Sequence, residues 1–116
     1  MKLALKFRDG SQMEIKLETS AAPITVSKLL ASLPLNASII KAGPQAIIPL
    51  DLGTGPETFR TFARRGEVIY VPKNKQLIIA ISNIEVGDRI NPIGFLMGEP
   101  DKLRPGTVTL TQSLSP

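Results

Sequence analysis

The sequence predicts a mainly β fold, a closed antiparallel barrel of eight strands with one main α-helix at about residues 22–33. Eight short segments have the alternating or uniformly apolar pattern of strands, whereas a single segment has the apolar spacing of a helix. The segments show no regular alternation of strand and helix, which a parallel sheet with crossover helices would require. We therefore expect one domain over residues 1–112 and a frayed tail at 113–116.

The first two predicted strands form a hairpin. Apolar and polar residues alternate over residues 2–7 and again over 12–17. Asp9 and Gly10 lie between these runs, and glycine readily adopts the positive φ that a tight hairpin turn needs. These residues predict an antiparallel pair of strands at the start of the domain.

The predicted helix follows this hairpin. Four residues with i, i+3, i+4 and i+7 spacing form its apolar face: Val26, Leu29, Leu30 and Leu33. Thr25 is expected to lie away from that face. Thr19 or Ser20 is expected to cap the start of the helix, because their hydroxyl oxygens accept hydrogen bonds from unpaired helical amides. Pro23 suits the first helical turn, and Pro34 is expected to end the helix.

Beyond the helix, short apolar runs separated by Gly and Pro predict the remaining strands. Six runs are expected to be strands, at residues 38–42, 46–50, 67–71, 76–82, 90–97 and 107–111. The run at 76–82 is apolar on both faces, which indicates a central strand. Residues 57–63 are predicted to form one helical turn or an irregular crossing, with Phe59 and Phe62 facing the core.

Composition limits the chemistry available to this chain. Its 116 residues include no histidine, cysteine or tryptophan. Histidine acid–base catalysis, cysteine nucleophiles and disulfides are therefore excluded, together with the commonest transition-metal ligands. Asp51, Glu57 and Glu67 are too dispersed in the sequence to indicate a metal site. We expect no catalytic residue, no metal and no cofactor, and we interpret the chain as a binding module rather than an enzyme.

The charge distribution bears on partners and location. The net charge is +4, and two basic clusters are visible, Arg64-Arg65 and Lys73/Lys75, which lie at opposite ends of the predicted strand at 67–71. The remaining basic residues are scattered among ten acidic ones, and the few aromatics do not recur within a strand as base-stacking platforms do. This pattern argues against a nucleic-acid partner. No apolar stretch approaches the roughly 20 residues of a membrane-spanning helix. We expect a soluble, cytoplasmic protein with no membrane association, and we leave open whether it forms an oligomer.

Several motifs in order along the chain resemble a known fold family. A hairpin followed by the run TSAAPITV at residues 19–26, which opens the helix, resembles cyclophilins. The runs LPLNAS at 33–38, GEVIYVP at 66–72 and NPIG at 91–94 resemble the short prokaryotic cyclophilin-like family. The resemblance covers about residues 2–110 and implies a minimal cyclophilin-like β-barrel.

The resemblance carries less information about activity. Cyclophilins stabilise a twisted X-Pro amide with an arginine and a glutamine on adjacent strands. Lys41 stands near the place of that arginine and Pro49 near that of the glutamine. A lysine ammonium does not reproduce the planar guanidinium fork, and proline offers no side-chain amide. Because the isomerisation barrier is about 18–20 kcal/mol, lowering it requires well-placed donors, so the resemblance implies at most a weak isomerase.

A ligand groove is expected on the outer face of the barrel, beside the strand at 46–50 and the connection at 51–65. This connection is the longest irregular stretch of the chain, and long loops on rigid barrels tend to carry function. Gln45 is expected to bind an amide and Arg60 a carboxylate or carbonyl, while Phe59 or Phe62 lines an apolar pocket. With the residue near the cyclophilin arginine included, the candidate ligand-binding residues are Lys41, Gln45, Phe59, Arg60 and Phe62.

Three functional interpretations stay open on the sequence alone. The first is a non-enzymatic module that binds an unidentified small molecule or peptide. The second is a weak peptidyl-prolyl cis–trans isomerase or a chaperone-like factor. The third is a structural or assembly module that uses exposed strand edges for contacts with other chains.

Overall fold

A computed structural model describes residues 1–113. Within this range the chain forms ten β-strands, one α-helix and one short 3₁₀ turn. The strands are β1 (Lys2–Phe7), β2 (Gln12–Leu17), β3 (Leu35–Ala42), β4 (Gln45–Pro49), β5 (Phe62–Ala63), β6 (Glu67–Val71), β7 (Gln76–Ala80), β8 (Ile84–Glu85), β9 (Asn91–Met97) and β10 (Gly106–Ser113). The helix α1 spans Pro23–Ser32, and the 3₁₀ turn spans Pro100–Lys102.

Eight of these strands close into an antiparallel barrel in the order β1-β10-β3-β4-β7-β6-β9-β2. This arrangement confirms the predicted closed barrel with one helix. The remaining two strands, β5 and β8, form a separate two-stranded sheet. Each has only two residues, so neither shows the alternation that would reveal a strand in the sequence.

The β1–β2 hairpin has the predicted turn. Gly10 adopts a φ of 90°, which an L-residue with a side chain rarely tolerates. The Phe7 amide donates a hydrogen bond to the Ser11 carbonyl at 2.9 Å, and the Gly10 amide donates to the Phe7 carbonyl at 3.1 Å. The predicted glycine turn between two alternating strands is therefore confirmed.

Apolar side chains are buried on both faces of the sheet around β7. Leu77 and Ile79 belong to the cluster that fills the barrel. Ile78 and Ala80, on the opposite face, pack in a second cluster with Ile90 and residues of β5 and β6. The expected central strand with two apolar faces is confirmed. The chain between β4 and β6, residues 50–66, includes β5, and we call it the connection before β6. Because β5 and Ile90 contribute to the second cluster, this connection and the segment before β9 cover the outside of β6 and β7.

The helix lies within its predicted bounds but has a different cap. Pro23 occupies the first turn, and Leu33, the last residue before Pro34, is the C-cap. Ala22 is the N-cap and makes no side-chain hydrogen bond, so the predicted capping by Thr19 or Ser20 is wrong. In the described part of the chain, no helix is long and apolar enough to cross a membrane.

A distant carboxylate replaces the local cap. The Glu57 side chain accepts hydrogen bonds from the backbone amides of Ile24 at 3.0 Å and Thr25 at 2.9 Å. The Thr25 hydroxyl donates to the same carboxylate at 2.6 Å, and Thr25 is fully buried. The expectation that Thr25 lies away from the buried face is therefore wrong. Its hydroxyl can be buried because it hydrogen-bonds to the side chains of Glu57 and Asn91.

Residues 57–61 form no helical turn and lead into β5. Of the two predicted alternatives for residues 57–63, a helical turn or an irregular crossing, the structure shows the irregular crossing. The expectation that Phe59 and Phe62 face the core is wrong, since they are 86% and 42% exposed. Each ring instead contacts a guanidinium. Arg89 lies over Phe59 with its central carbon 4.4 Å from the ring centre, and Arg60 lies over Phe62 at 4.7 Å. Cation–π attraction compensates part of the cost of exposing the rings.

The end of the predicted domain falls one residue short of the observed strand. β10 continues through Ser113, which the sequence assigned to a frayed tail beginning at 113. The remainder of that predicted tail, residues 114–116, lies outside the described residues.

Candidate functional site

A cavity of about 460 Å³ lies on the outer face of the barrel, where β6 and β9 meet the connection before β6. Its lining residues are Arg60, Phe62, Arg64, Arg65, Glu67 and Phe95, and we call it the Arg–Phe pocket. A smaller cavity of about 160 Å³ shares Arg60, Glu67 and Phe95 with it and extends toward the residues just before α1. The two cavities therefore adjoin at these three residues.

The sheet and a set of backbone hydrogen bonds position this pocket. Glu67 on β6 pairs directly with Phe95 on β9. The Arg60 amide donates to the Thr58 hydroxyl at 3.2 Å, and the Arg60 carbonyl accepts from the Ile90 amide at 2.8 Å. The arginine is therefore held against the strands even though it lies in an irregular segment.

Glu67 is a nearly buried carboxylate, with 8% of its side chain exposed. Its Oε1 accepts hydrogen bonds from Nη2 of Arg60, with which it forms an ion pair, and from the backbone amide of Arg64 at 2.8 Å. These contacts compensate the cost of removing the charge from water. Nε of Arg60 is also buried, but it has no hydrogen-bond partner among residues 1–113.

Arg65 is committed to structural contacts at the edge of the pocket. Its Nη2 donates to Oδ2 of Asp101 at 2.9 Å, and its Nη1 donates to the Ile81 carbonyl at 2.7 Å. The hydrogen bond and the charge of Arg65 lower the pKa of the Asp101 carboxyl. Arg65 thereby attaches the 3₁₀ turn to the end of β7.

Arg64 differs from the other two arginines. Its backbone amide binds Glu67, but its exposed guanidinium makes no hydrogen bond or ion pair with any residue in the described range. Three guanidiniums and one carboxylate thus line the pocket, so its charge is positive. A concave surface of one sign concentrates ions of the opposite sign.

Two aromatic rings supply apolar walls. Phe95 is 44% exposed, similar to Phe62, although both are large hydrophobic residues. Partly exposed rings beside polar groups are typical of ligand sites, where a ligand covers the apolar surface when it binds. The pocket therefore combines cationic groups with an aromatic surface.

A buried polar network holds the connection in place against α1 and β9. Asn91 is fully buried, and its Oδ1 accepts from the Glu57 amide at 2.7 Å. Its Nδ2 donates to the Thr25 hydroxyl at 2.8 Å and to the Gly55 carbonyl at 3.0 Å. Burial raises the pKa of Glu57, but its hydrogen bonds to Thr25 and Ile24 lower the pKa more, so it lies below its ordinary value. The network links α1, the connection and β9.

Tyr70 anchors the start of the same connection from inside the barrel. Its hydroxyl accepts from the Leu52 amide at 2.9 Å and donates to the Leu50 carbonyl at 2.8 Å. Burial raises the pKa of this phenol. The hydroxyl therefore stays protonated at neutral pH and satisfies both backbone groups.

The structure brings two of the five predicted site residues together. Arg60 and Phe62 line the Arg–Phe pocket. The other three lie outside its lining. Phe59 stacks on Arg89, the half-buried Gln45 pairs within the sheet between β3 and β7, and Nζ of Lys41 reaches the Asp101 carbonyl at 3.5 Å.

Four lining residues were not among the sequence candidates: Arg64, Arg65, Glu67 and Phe95. The first three follow Phe62 within five positions, so a search for charge close to the candidate aromatic residue would have found them. Phe95 has no such signal, because only the pairing of β6 with β9 brings it to the pocket.

The site offers no recognisable metal centre. Within residues 1–113, no three or more Asp or Glu side chains converge in a way that could hold a metal ion. The arrangement can instead bind an anion through guanidinium groups and an apolar body through the phenylalanine rings.

Comparisons with known proteins establish the fold alone. No family model matches the chain, and no curated protein matches it. The solution structure of the hypothetical protein AF2241 from Archaeoglobus fulgidus is similar, with a TM-score of 0.77 and 18% identity, over 97% of this chain and 95% of that one. McbB, determined in complex with tryptophan, matches with a TM-score of 0.72 and 14% identity over 98% of this chain. The matched region is 45% of the McbB chain, so this chain spans less than half of that protein.

Proposed function

We propose that this protein is a cyclophilin-like barrel that acts as a non-enzymatic binding module, and that its Arg–Phe pocket holds a small anionic molecule. The observation that carries the proposal is the combination of net positive charge and partly exposed aromatic rings in one cavity of about 460 Å³. This volume lies in the usual range for small-molecule sites, roughly 300–1,000 Å³.

Electrostatics favours an anion as the ligand. The lining contains three arginines and one glutamate, and the glutamate already forms an ion pair with Arg60. An entering carboxylate or phosphate gains charge-assisted hydrogen bonds from the remaining guanidinium surface. A cation would meet repulsion from the same groups.

The fold comparison supports this chemistry. McbB shares the fold over almost the whole of this chain and was determined in complex with tryptophan. Tryptophan contains a carboxylate and an aromatic ring, which are the two features that arginine and phenylalanine side chains can recognise. The element order of hairpin, helix and closed barrel supports the cyclophilin-like assignment.

An amide NMR titration of labelled protein with benzoate, phenyl phosphate and an uncharged X-Pro tetrapeptide tests the proposal. We expect the anions to shift resonances of residues 60–67 and Phe95. Phe62→Ala should weaken benzoate binding about three- to tenfold through the lost ring contact. Phe59→Ala is the matched control, because Phe59 also stacks on an arginine but lies outside the pocket.

Other results would favour a different function. No shift with either anion at millimolar concentration would contradict the proposal. Faster cis–trans exchange of the peptide would support a peptidyl-prolyl isomerase, and a mass that rises with protein concentration would support an assembly module. Equal losses in the Phe62 and Phe59 variants would place binding outside the Arg–Phe pocket.

A further inference from the structure

We infer that the ligand of the Arg–Phe pocket is a monocarboxylate joined to a flat aromatic ring, with Arg64 as the group that binds the carboxylate. This inference rests on the proposed function and narrows the small anion to one chemical class. It follows from which charged groups in the pocket are already paired and which are not.

Two of the three arginines are occupied by contacts within the protein. Nη2 of Arg60 binds the Glu67 carboxylate, whereas its Nε is buried and has no hydrogen-bond partner in the described residues. Both terminal nitrogens of Arg65 have partners, in the Asp101 carboxylate and a backbone carbonyl. In the range that the structure describes, Arg64 has no such partner, so the pocket offers one complete guanidinium fork. One fork matches one carboxylate, which it binds through two parallel hydrogen bonds.

The same pairing disfavours a second negative charge on the ligand. Glu67 lies in the wall of the pocket, and its charge offsets that of Arg60. Asp101 offsets the charge of Arg65 in the same way at the edge. A second ligand anion would therefore approach neutralised arginines and the carboxylates that neutralise them. A dicarboxylate gains nothing over a monocarboxylate in such a site.

The aromatic part of the ligand follows from the two rings. One face of Phe62 is covered by Arg60 at 4.7 Å, yet 42% of the residue is still exposed. Phe95 lines the same cavity and is 44% exposed. A flat ring can lie against both in offset or edge-to-face geometry, which adds roughly two- to tenfold in affinity beyond the burial of apolar area.

Calorimetric titration with four related compounds tests this inference on the whole protein. 3-Phenylpropanoate is the reference ligand. We expect it to bind about tenfold more tightly than 3-phenylpropan-1-ol, which has no charge, and severalfold more tightly than 3-cyclohexylpropanoate, whose ring is not flat. Benzylsuccinate, with two carboxylates, is expected to bind no more tightly than the reference. Tenfold tighter binding of benzylsuccinate, or equal binding of the alcohol, would overturn the inference.

Arg64→Gln identifies the residue responsible. The variant should lose the preference for the acid over the alcohol and keep the affinity for the alcohol. Arg8→Gln is the matched control, because Arg8 is an exposed arginine that lines a different cavity. An undiminished preference in Arg64→Gln would remove Arg64 from this role. If 3-phenylpropanoate, benzoate and phenyl phosphate all fail to bind, the proposed function itself fails. Binding of benzoate or phenyl phosphate without these preferences refutes the inference alone.

Discussion

Replacement of Glu57 by alanine tests whether this single side chain fixes the start of α1 to the connection before β6. The carboxylate accepts three hydrogen bonds, from the amides of Ile24 and Thr25 and from the Thr25 hydroxyl. It lies in the irregular segment that carries Arg60 three residues later. Glu57→Ala removes all three bonds and leaves the start of α1 without a side-chain cap, because Ala22 supplies none.

The expected loss of stability follows from the surroundings of each donor. The amides lie at the start of the helix, where water replaces part of the interaction, so together they are equivalent to one lost N-cap, about 1 kcal/mol. The Thr25 hydroxyl is buried, and its bond to a charged group contributes about 1.5 kcal/mol, the lower end for such bonds because Glu57 itself is partly exposed. The free energy of unfolding should therefore fall by about 2.5 kcal/mol.

Urea unfolding followed by far-ultraviolet circular dichroism measures this change. For a domain of this size the midpoint should fall by roughly 1–2 M. Glu18→Ala is the control, because Glu18 is exposed and its carboxylate has no hydrogen-bond or ion-pair partner in residues 1–113. A loss below about 0.5 kcal/mol in Glu57→Ala would refute the reasoning, since that is the ordinary range of a surface substitution.

The pH dependence gives a second test of the same contact. The pKa of Glu57 is lower in the folded protein than its ordinary value of 4.5. Its stabilising contribution is therefore complete above pH 4.5 and is lost as the pH falls through the lower, folded pKa. The difference in unfolding free energy between the native protein and Glu57→Ala should shrink on acidification over that range. A difference that stays constant to pH 2 would contradict the assigned role of the charge.

Urea unfolding checks two further predictions on stability, and calorimetric titration checks a third on binding. Gly94→Ala should lower the free energy of unfolding by more than about 3 kcal/mol, since the new Cβ would lie 2.1 Å from the Lys16 carbonyl oxygen. Gly55→Ala is its control: a Cβ there meets open space, so the free energy of unfolding should stay within about 0.5 kcal/mol of that of the native protein. Tyr70→Phe should cost about 1–3 kcal/mol in urea unfolding, because it leaves the buried Leu52 amide without an acceptor. The affinity for 3-phenylpropanoate should fall as the salt concentration rises from 0.05 M to 1 M, because ions screen a partly exposed guanidinium; calorimetry that shows no change would argue against a charge-based site.

Local sequence patterns were sufficient for most of the barrel. Alternation predicts β1 and β2, and Asp9 with Gly10 predicts the turn between them, because hairpin geometry depends on a few neighbouring residues. The run at 76–82 is apolar on both faces, and the structure buries both faces of β7. β5 and β8 escaped prediction because strands of two residues have no period.

The candidate site was only partly accessible to sequence reasoning. Arg60 and Phe62 were identified because they lie in the longest irregular connection, and both line the pocket. Phe59 has the same residue type and neighbourhood, but its ring turns toward Arg89. The direction of a side chain in an irregular segment depends on its tertiary partners, so residue type and position do not decide it.

The sequence by itself determined the strand periods, the single helix and the absence of histidine and cysteine chemistry, because each of these depends on residue identity and short-range spacing. The tertiary structure decided the contacts between distant segments. Glu57 caps a helix from 32 residues away, and the pairing of β6 with β9 places Phe95 opposite Glu67. Such contacts form only when the barrel closes, because closure brings together groups that no local pattern relates.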